Sequence, residues 1–140
     1  LPDAFRRLTE SGSKLVPGKV IDWLDCGNKD VTVDTNKHVI EYDHEKNIPL
    51  ISKSLKQKNS VIIPPCFIDE NVEIENSVIG PHVSIGSNTM ISNSIISNSI
   101  ILDNAELKNV NASNSFIGSH AKANGKVVDF SLGDFCKIDY

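Results

Sequence analysis

The sequence predicts a mainly β chain whose second half is a three-sided parallel β-helix, preceded by a small α/β segment. Three observations lead there. The letters ISNSI occur twice in succession in ISNSIISNSII (91–101). Aliphatic residues recur at steps of five and six from residue 63 onward, and Asn or Gly recurs at a fixed place inside those steps. No helix favours such a run, because Asn and Ser hydrogen-bond to the backbone in competing turn conformations.

The aliphatic positions fall into three columns. Ile63, Ile79, Ile96, Ala112 and Val128 form the first; Ile68, Ile85, Ile101 and Ile117 the second; Ile74, Ile91, Leu107 and Ala123 the third. Within a column the step is 16 or 17 residues, so one coil of chain holds three short strands, stacked at the ~4.8 Å strand spacing. Each column points inward, and burying one aliphatic side chain contributes roughly 1.5–3 kcal/mol.

The corners follow from the polar letters. In the five-residue steps the third position is Asn76, Asn93, Asn98, Asn109, Asn114 or Gly125. In the six-residue steps that leave the second column, the fourth position is Asn71, Asn88, Asn104 or His120. Asn and Gly tolerate a left-handed backbone at a tight bend. The residue before each inward position faces outward, because side chains alternate along a strand. Val78, Ile95, Asn111 and Val127 line one outer face; Phe67, Ser84, Ile100 and Phe116 a second; Glu73, Met90, Glu106 and Lys122 a third. Two faces are therefore partly apolar. They are expected to be covered, by another subunit or by chain outside these residues.

Composition narrows the function classes. A net charge of −4 over 140 residues gives no basic footprint for nucleic acid, and no apolar run approaches the roughly 20 residues of a membrane span. No signal-peptide pattern opens the chain. Cys26, Cys66 and Cys136 are odd in number and widely spaced, which suits reduced cytoplasmic thiols better than a disulfide frame or a zinc site. Residue 1 is Leu and the sole methionine is Met90, so a piece of a longer protein is expected.

Before the repeat, LPDAFRRLTESGSKL (1–15) reads as a helix with Leu1, Ala4, Phe5 and Leu8 on one side, ending near Ser11-Gly12. GKVIDWLDCG (18–27) reads as a strand running into a turn, with Trp23 as core or interface anchor and Asp22 facing outward. NKDVTVDTNKHVIEY (28–42) is ambiguous: Val31 and Val33 alternate as in a strand, yet Asn28 suits a helix cap with Asp30 in the first turn. EKNIPLISKSLKQKNS (45–60) suits a linker. The expected organisation is thus 1–44, a linker over 45–60, and a β-helix over 61–140.

Two resemblances extend this reading. The tract 61–138, with IGPHVSIGSNTMI (79–91) as a typical stretch, resembles the hexapeptide-repeat family. That resemblance implies a left-handed coil, although the general preference for right-handed crossovers points the other way. WLDCGN (23–28) resembles the W-x-D-x-G motif near the end of the catalytic domain of sugar-phosphate nucleotidyltransferases, the glucose-1-phosphate thymidylyltransferase type included. Residues 29–41 are similar to the helix that follows the motif in that family, and 2–15 to the one before it. The resemblance implies that 1–44 is the end of a catalytic domain and that the parent protein converts a sugar phosphate and a nucleoside triphosphate to a nucleotide sugar. It further implies that Asp25 is a ligand of the Mg²⁺ at the transferring nucleotide, consistent with the preference of Mg²⁺ for one or two carboxylates plus phosphate and water.

The family's Gly-rich phosphate-gripping loop does not occur in these residues. Sugar phosphate and nucleotide would be held by an absent N-terminal half, and these residues alone are expected to be inactive. No catalytic or cofactor-binding residue is assigned to them. The β-helix is expected to serve a homo-oligomer through its faces. An acetyl-coenzyme-A-dependent acyltransferase with His82 or His120 as base is the alternative, and a purely structural oligomerisation module is the third reading. Both histidines, however, occupy corner positions. His38 and His44 lack a second ligand at metal spacing and read as surface residues, and the negative neighbour Asp25 argues against Cys26 as a nucleophile.

Overall fold

The computed structural model describes residues 2–125 and 131–139. From Lys56 onward the chain winds through three parallel sheets in turn. One sheet stacks Lys56–Lys58, Glu73–Glu75, Met90–Ser92, Glu106–Lys108, Lys122–Asn124 and Lys137–Asp139. A second stacks Val61–Ile62, Val78–Ile79, Ile95–Ser97 and Asn111–Ser113; the third stacks Cys66–Ile68, Val83–Ile85, Ser99–Ile101, Phe116–Ile117 and Ser131–Leu132. Register runs through the predicted columns: Ile68 pairs with Ile85, Ile85 with Ile101, and Ile101 with Ile117. Ile74, Ile91, Leu107 and Ala123 pair likewise. Their side chains form one continuous buried core. The fold is a parallel β-solenoid.

The first column starts one residue earlier than the sequence pattern places it. Ile62, not Ile63, pairs with Ile79, and Ile63 is 42% exposed. The cause lies at the corner. Ile63-Pro64-Pro65 occupies the same place in its coil as Gly80-Pro81-His82 does in the next, so the inward residue falls six positions before Ile68, as Ile79 does before Ile85. Gly80 at this corner is required twice over. Its φ is +106°, and a Cβ there would land on the Ile63 carbonyl oxygen. Val127 and Val128, assigned to the outward and inward series, lie outside the described residues.

Every predicted Asn corner adopts a left-handed backbone, with φ between 42° (Asn98) and 60° (Asn104), and so do His82 (60°) and His120 (59°). Gly125 has φ 131°. Asn side chains stack from coil to coil, Asn71 Nδ2 donating to Asn88 Oδ1 (3.3 Å), Asn76 to Asn93 (3.3 Å) and Asn109 to Asn124 (3.0 Å).

The serine that follows four of these corners does something else. Ser77, Ser94, Ser99 and Ser115 are buried inside the prism. Ser94 Oγ accepts the Val110 N–H (3.1 Å) of the next coil and donates to the Ser92 carbonyl (2.7 Å); Ser77 does the same toward Ser94 and Glu75. A backbone donor that the bend leaves without a ladder partner is thereby satisfied. Each strand has two inward positions, and the second takes a small or branched residue: Val72, Thr89, Ala105 and Ala121 precede the third column, all fully buried.

The parallel ladder reaches back into the segment read as a linker. The Ile68 N–H donates to the Leu50 carbonyl, the Ser52 N–H donates to the Ile68 carbonyl (both 2.8 Å), and Ile51 bridges Ile68. The helices are α1 (Pro2–Glu10) and α2 (Lys29–Glu45). Asn28 caps α2 by accepting the Val31 N–H at 3.1 Å, so the helix alternative holds for 28–42. No strand forms over 18–27: the segment is irregular, and Trp23 is 86% exposed instead of serving as core.

The two apolar outer faces differ. On that of Phe67, Ser84, Ile100 and Phe116, α2 of the same chain lies against Ser99–Ile101 and buries Val33 and Ile40, while Phe67 stays 39% exposed. The cover there comes from the same chain and not from a second subunit or an absent segment over Ser99–Ile101. Among the described residues nothing covers the face of Val61, Val78 and Ile95, with Val61 and Ile95 each 55% exposed. The third face is charged. Lys56–Glu73 (2.7 Å), Lys58–Glu75 (2.6 Å) and Lys122–Glu106 (2.6 Å) pair across adjacent coils, and Glu75 beside it pushes the Lys58 ammonium pKa up.

Candidate functional site

Asp25 sits in the irregular loop just ahead of α2. Its Oδ1 accepts the N–H of Cys26 at 2.7 Å, and its carbonyl accepts the hydroxyl of Thr35, two turns into the helix, at 2.5 Å. A Cβ on Gly27 would stand 3.3 Å from Asp25 Oδ2, so glycine leaves that oxygen room. Asn28 then turns the chain into the helix; its carbonyl accepts from both the amide (2.9 Å) and the hydroxyl (2.7 Å) of Thr32.

The helix is in turn seated on the solenoid. At its first turn Lys29 Nζ donates to the Asn114 carbonyl (3.0 Å) and Asn114 Nδ2 donates to Asp30 Oδ1 (2.9 Å). Lys29 first and the Asn114 amide second hold the Asp30 carboxyl below the usual carboxylate range. Midway, Ser84 Oγ donates to Asn36 Oδ1 at 2.6 Å; farther on, His82 Nε2 lies 2.9 Å from Glu41 Oε1. An open cleft of about 860 Å³ runs between residues 21–24 and the distal half of α2, lined by Trp23, Leu24, His38 and Tyr42 among others.

Asp25 is exposed, and among the described residues no three His, Cys, Asp or Glu side chains come together as a metal-binding group. One carboxylate with one oxygen already taken by a backbone N–H does not make a Mg²⁺ site by itself. His82 and His120 both hold corners, as expected. His82 turns to Glu41, and His120 stacks on Phe135 of the next coil at 4.7 Å between ring centres. His38 is exposed beside Asp34 (3.4 Å) and His44 is exposed in the last turn of α2. Cys26 and Cys136 are free and exposed; Cys66 is free and buried, and burial pushes its thiol pKa up.

The contacts that seat α2 were not foreseeable from spacing. Asn114 has the same letter and corner as its neighbours, and nothing local marks Ser84 or Asn36. The apolar pair Val33 and Ile40 was the available signal for a helix with one covered side.

A prism of stacked five- and six-residue steps, with left-handed Asn corners, defines a hexapeptide-repeat β-solenoid. The chain belongs to the GlmU-like, C-terminal hexapeptide family, which it matches over residues 50–128. It is also similar to a glucose-1-phosphate thymidylyltransferase of Streptomyces antibioticus, at 27% identity over 157 aligned positions. That alignment takes in 97% of this chain and 44% of the relative. Among the described residues, no helix is long and apolar enough to cross a membrane.

Proposed function

We propose that this chain is the C-terminal region of a sugar-1-phosphate nucleotidyltransferase. In the whole protein a sugar 1-phosphate oxygen attacks the α-phosphorus of a nucleoside triphosphate. The new P–O bond forms as the α–β anhydride breaks, yielding a nucleotide sugar and pyrophosphate. The observation that carries this reading is the run Trp23-Leu24-Asp25-Cys26-Gly27 leading into α2 and on into the solenoid, in a chain aligned almost end to end with a thymidylyltransferase.

In this reading Asp25 supplies one of the carboxylates that hold Mg²⁺, the others coming from the preceding half of the catalytic domain. The metal would neutralise phosphate charge. The residues described contribute an exposed carboxylate, a glycine that leaves it space, and a helix that holds the loop. The solenoid is structural, its bare Val61–Val78–Ile95 face serving contact with a second copy, and the protein works in the cytoplasm. These 140 residues alone do not turn over.

Pyrophosphate release tests the reading. The whole protein should release it from a sugar 1-phosphate and a nucleoside triphosphate, Asp25→Asn should lose most of that rate, and the 140-residue chain should show none. Full turnover by Asp25→Asn would remove Asp25 from the reaction. Acetyl transfer from acetyl-coenzyme A by the chain alone would favour the acyltransferase reading instead.

A further inference from the structure

The loop that carries Asp25 has little else to hold it. Every described residue from 2 to 28 is exposed. Among the described residues, the segment 14–27 makes one hydrogen bond beyond its immediate neighbours, from the Thr35 hydroxyl to the Asp25 carbonyl. Its position is therefore the position of α2, and that is set by the solenoid.

The corner column formed by His82, Asn98 and Asn114 shows how firmly. In the column of Asn76, Asn93 and Asn109 each amide donates to an Asn oxygen one coil on, and Asn71 does so to Asn88. Here the lower member is His82, and its Nε2 turns to Glu41 of α2 instead. The upper member, Asn114, gives its amide to Asp30 of α2. Between them Asn98 Oδ1 lies buried with no partner. A buried acceptor without a donor is uncommon and costly. In this column the corner donors on either side of Asn98 point at the helix, and Asn98 Oδ1 receives no bond from either.

We propose that the solenoid is a positioning device for the Asp25 loop, acting through α2, with Asn114 and His82 as the positioning residues at its two ends and Ser84 between them. This rests on the nucleotidyltransferase reading only for what the loop is used for. The mechanical claim stands on the contacts. Asp30 and Glu41 are eleven residues apart, about 16 Å along a helix at 1.5 Å per residue, so the corner contacts fix both the placement and the direction of α2. Thr35 then fixes the loop to it.

The test is ¹⁵N relaxation on the chain itself, which needs no substrate or metal. The amides of Cys26, Gly27 and Asn28 should have order parameters near the ~0.85 of rigid backbone in the unaltered chain. In Asn114→Gly, which keeps the left-handed corner but removes the amide, they should fall below ~0.6, the range of flexible backbone. Thr35→Val should loosen the same three amides while α2 stays ordered. Asn93→Gly, the same change in a column that does not touch α2, should leave them unmoved. Ser84→Ala gives a second reading if Asn114→Gly does not fold. Unchanged loop order in Asn114→Gly or Ser84→Ala, or equal loosening by Asn93→Gly, overturns the proposal. None of these results depends on whether the whole protein transfers nucleotides.

Discussion

The solenoid and the first 28 residues are opposite solutions to the same problem of hiding apolar side chains. In the solenoid, Ile85, Ile101 and Ile117 are essentially without solvent contact, each resting on the same residue type one coil away. In the leading segment Ile21 is 85% and Trp23 86% exposed, and α1 buries nothing. Both regions contain aliphatic and aromatic residues. What separates them is whether the partner is supplied by the next coil of the same chain or has to come from elsewhere. The helix α2 stands between the two, covered on one side by the solenoid and joined on the other to a loop with no cover.

The comparison can be broken at its stronger end first. Ile101→Ala removes a fully buried side chain from the middle of a column and should cost about 2–5 kcal/mol in denaturant unfolding. A loss below about 1 kcal/mol would mean that the prism is not a packed core. Ser94→Ala strips the Val110 N–H of its acceptor and should cost about 1–3 kcal/mol, with faster hydrogen exchange at Val110; an unchanged exchange rate there would contradict the role given to the buried serines. Asn93→Ala, at φ 50°, should cost about 1–2 kcal/mol. Asn93→Gly should cost less, and a reversed order would argue against a conformational reason for the corner. At the weak end, Trp23→Ser should change stability by no more than about 0.5 kcal/mol, and a larger loss would show that the leading segment has a folded partner inside this chain.

The same contrast explains what could be read from the letters. Columns and corners were legible because each is a local rule repeated many times, so a single irregular step such as Ile63-Pro64-Pro65 misplaces one member and leaves the others intact. The second inward position was written just as regularly, in Ser77, Ser94, Ser99 and Ser115, but a polar letter beside an Asn reads as part of the turn. Burial of those hydroxyls depends on a carbonyl two residues back and an amide one coil ahead, which the letters do not display. Trp23 is not core for a related reason: a large aromatic implies burial, and at 86% exposure it finds none among the described residues, while the anchor alternative stays open. At the candidate site, the Trp23–Gly27 motif and the Asn28 cap were visible locally. The seat of α2 joins residues 29–41 to residues 82–114 with no repeat to announce it.

The seat also bears on how the solenoid can change length. A coil is a self-similar unit, so removing or adding one elsewhere merely shortens or extends the stack. Between His82 and Asn114 that freedom ends. Take out the 16-residue coil from Asn98 to Ser113, and Asn114 moves one coil, about 4.8 Å, closer to His82 while Asp30 and Glu41 keep their separation. This stretch is a gauge, and its length is dictated by the helix lying across it.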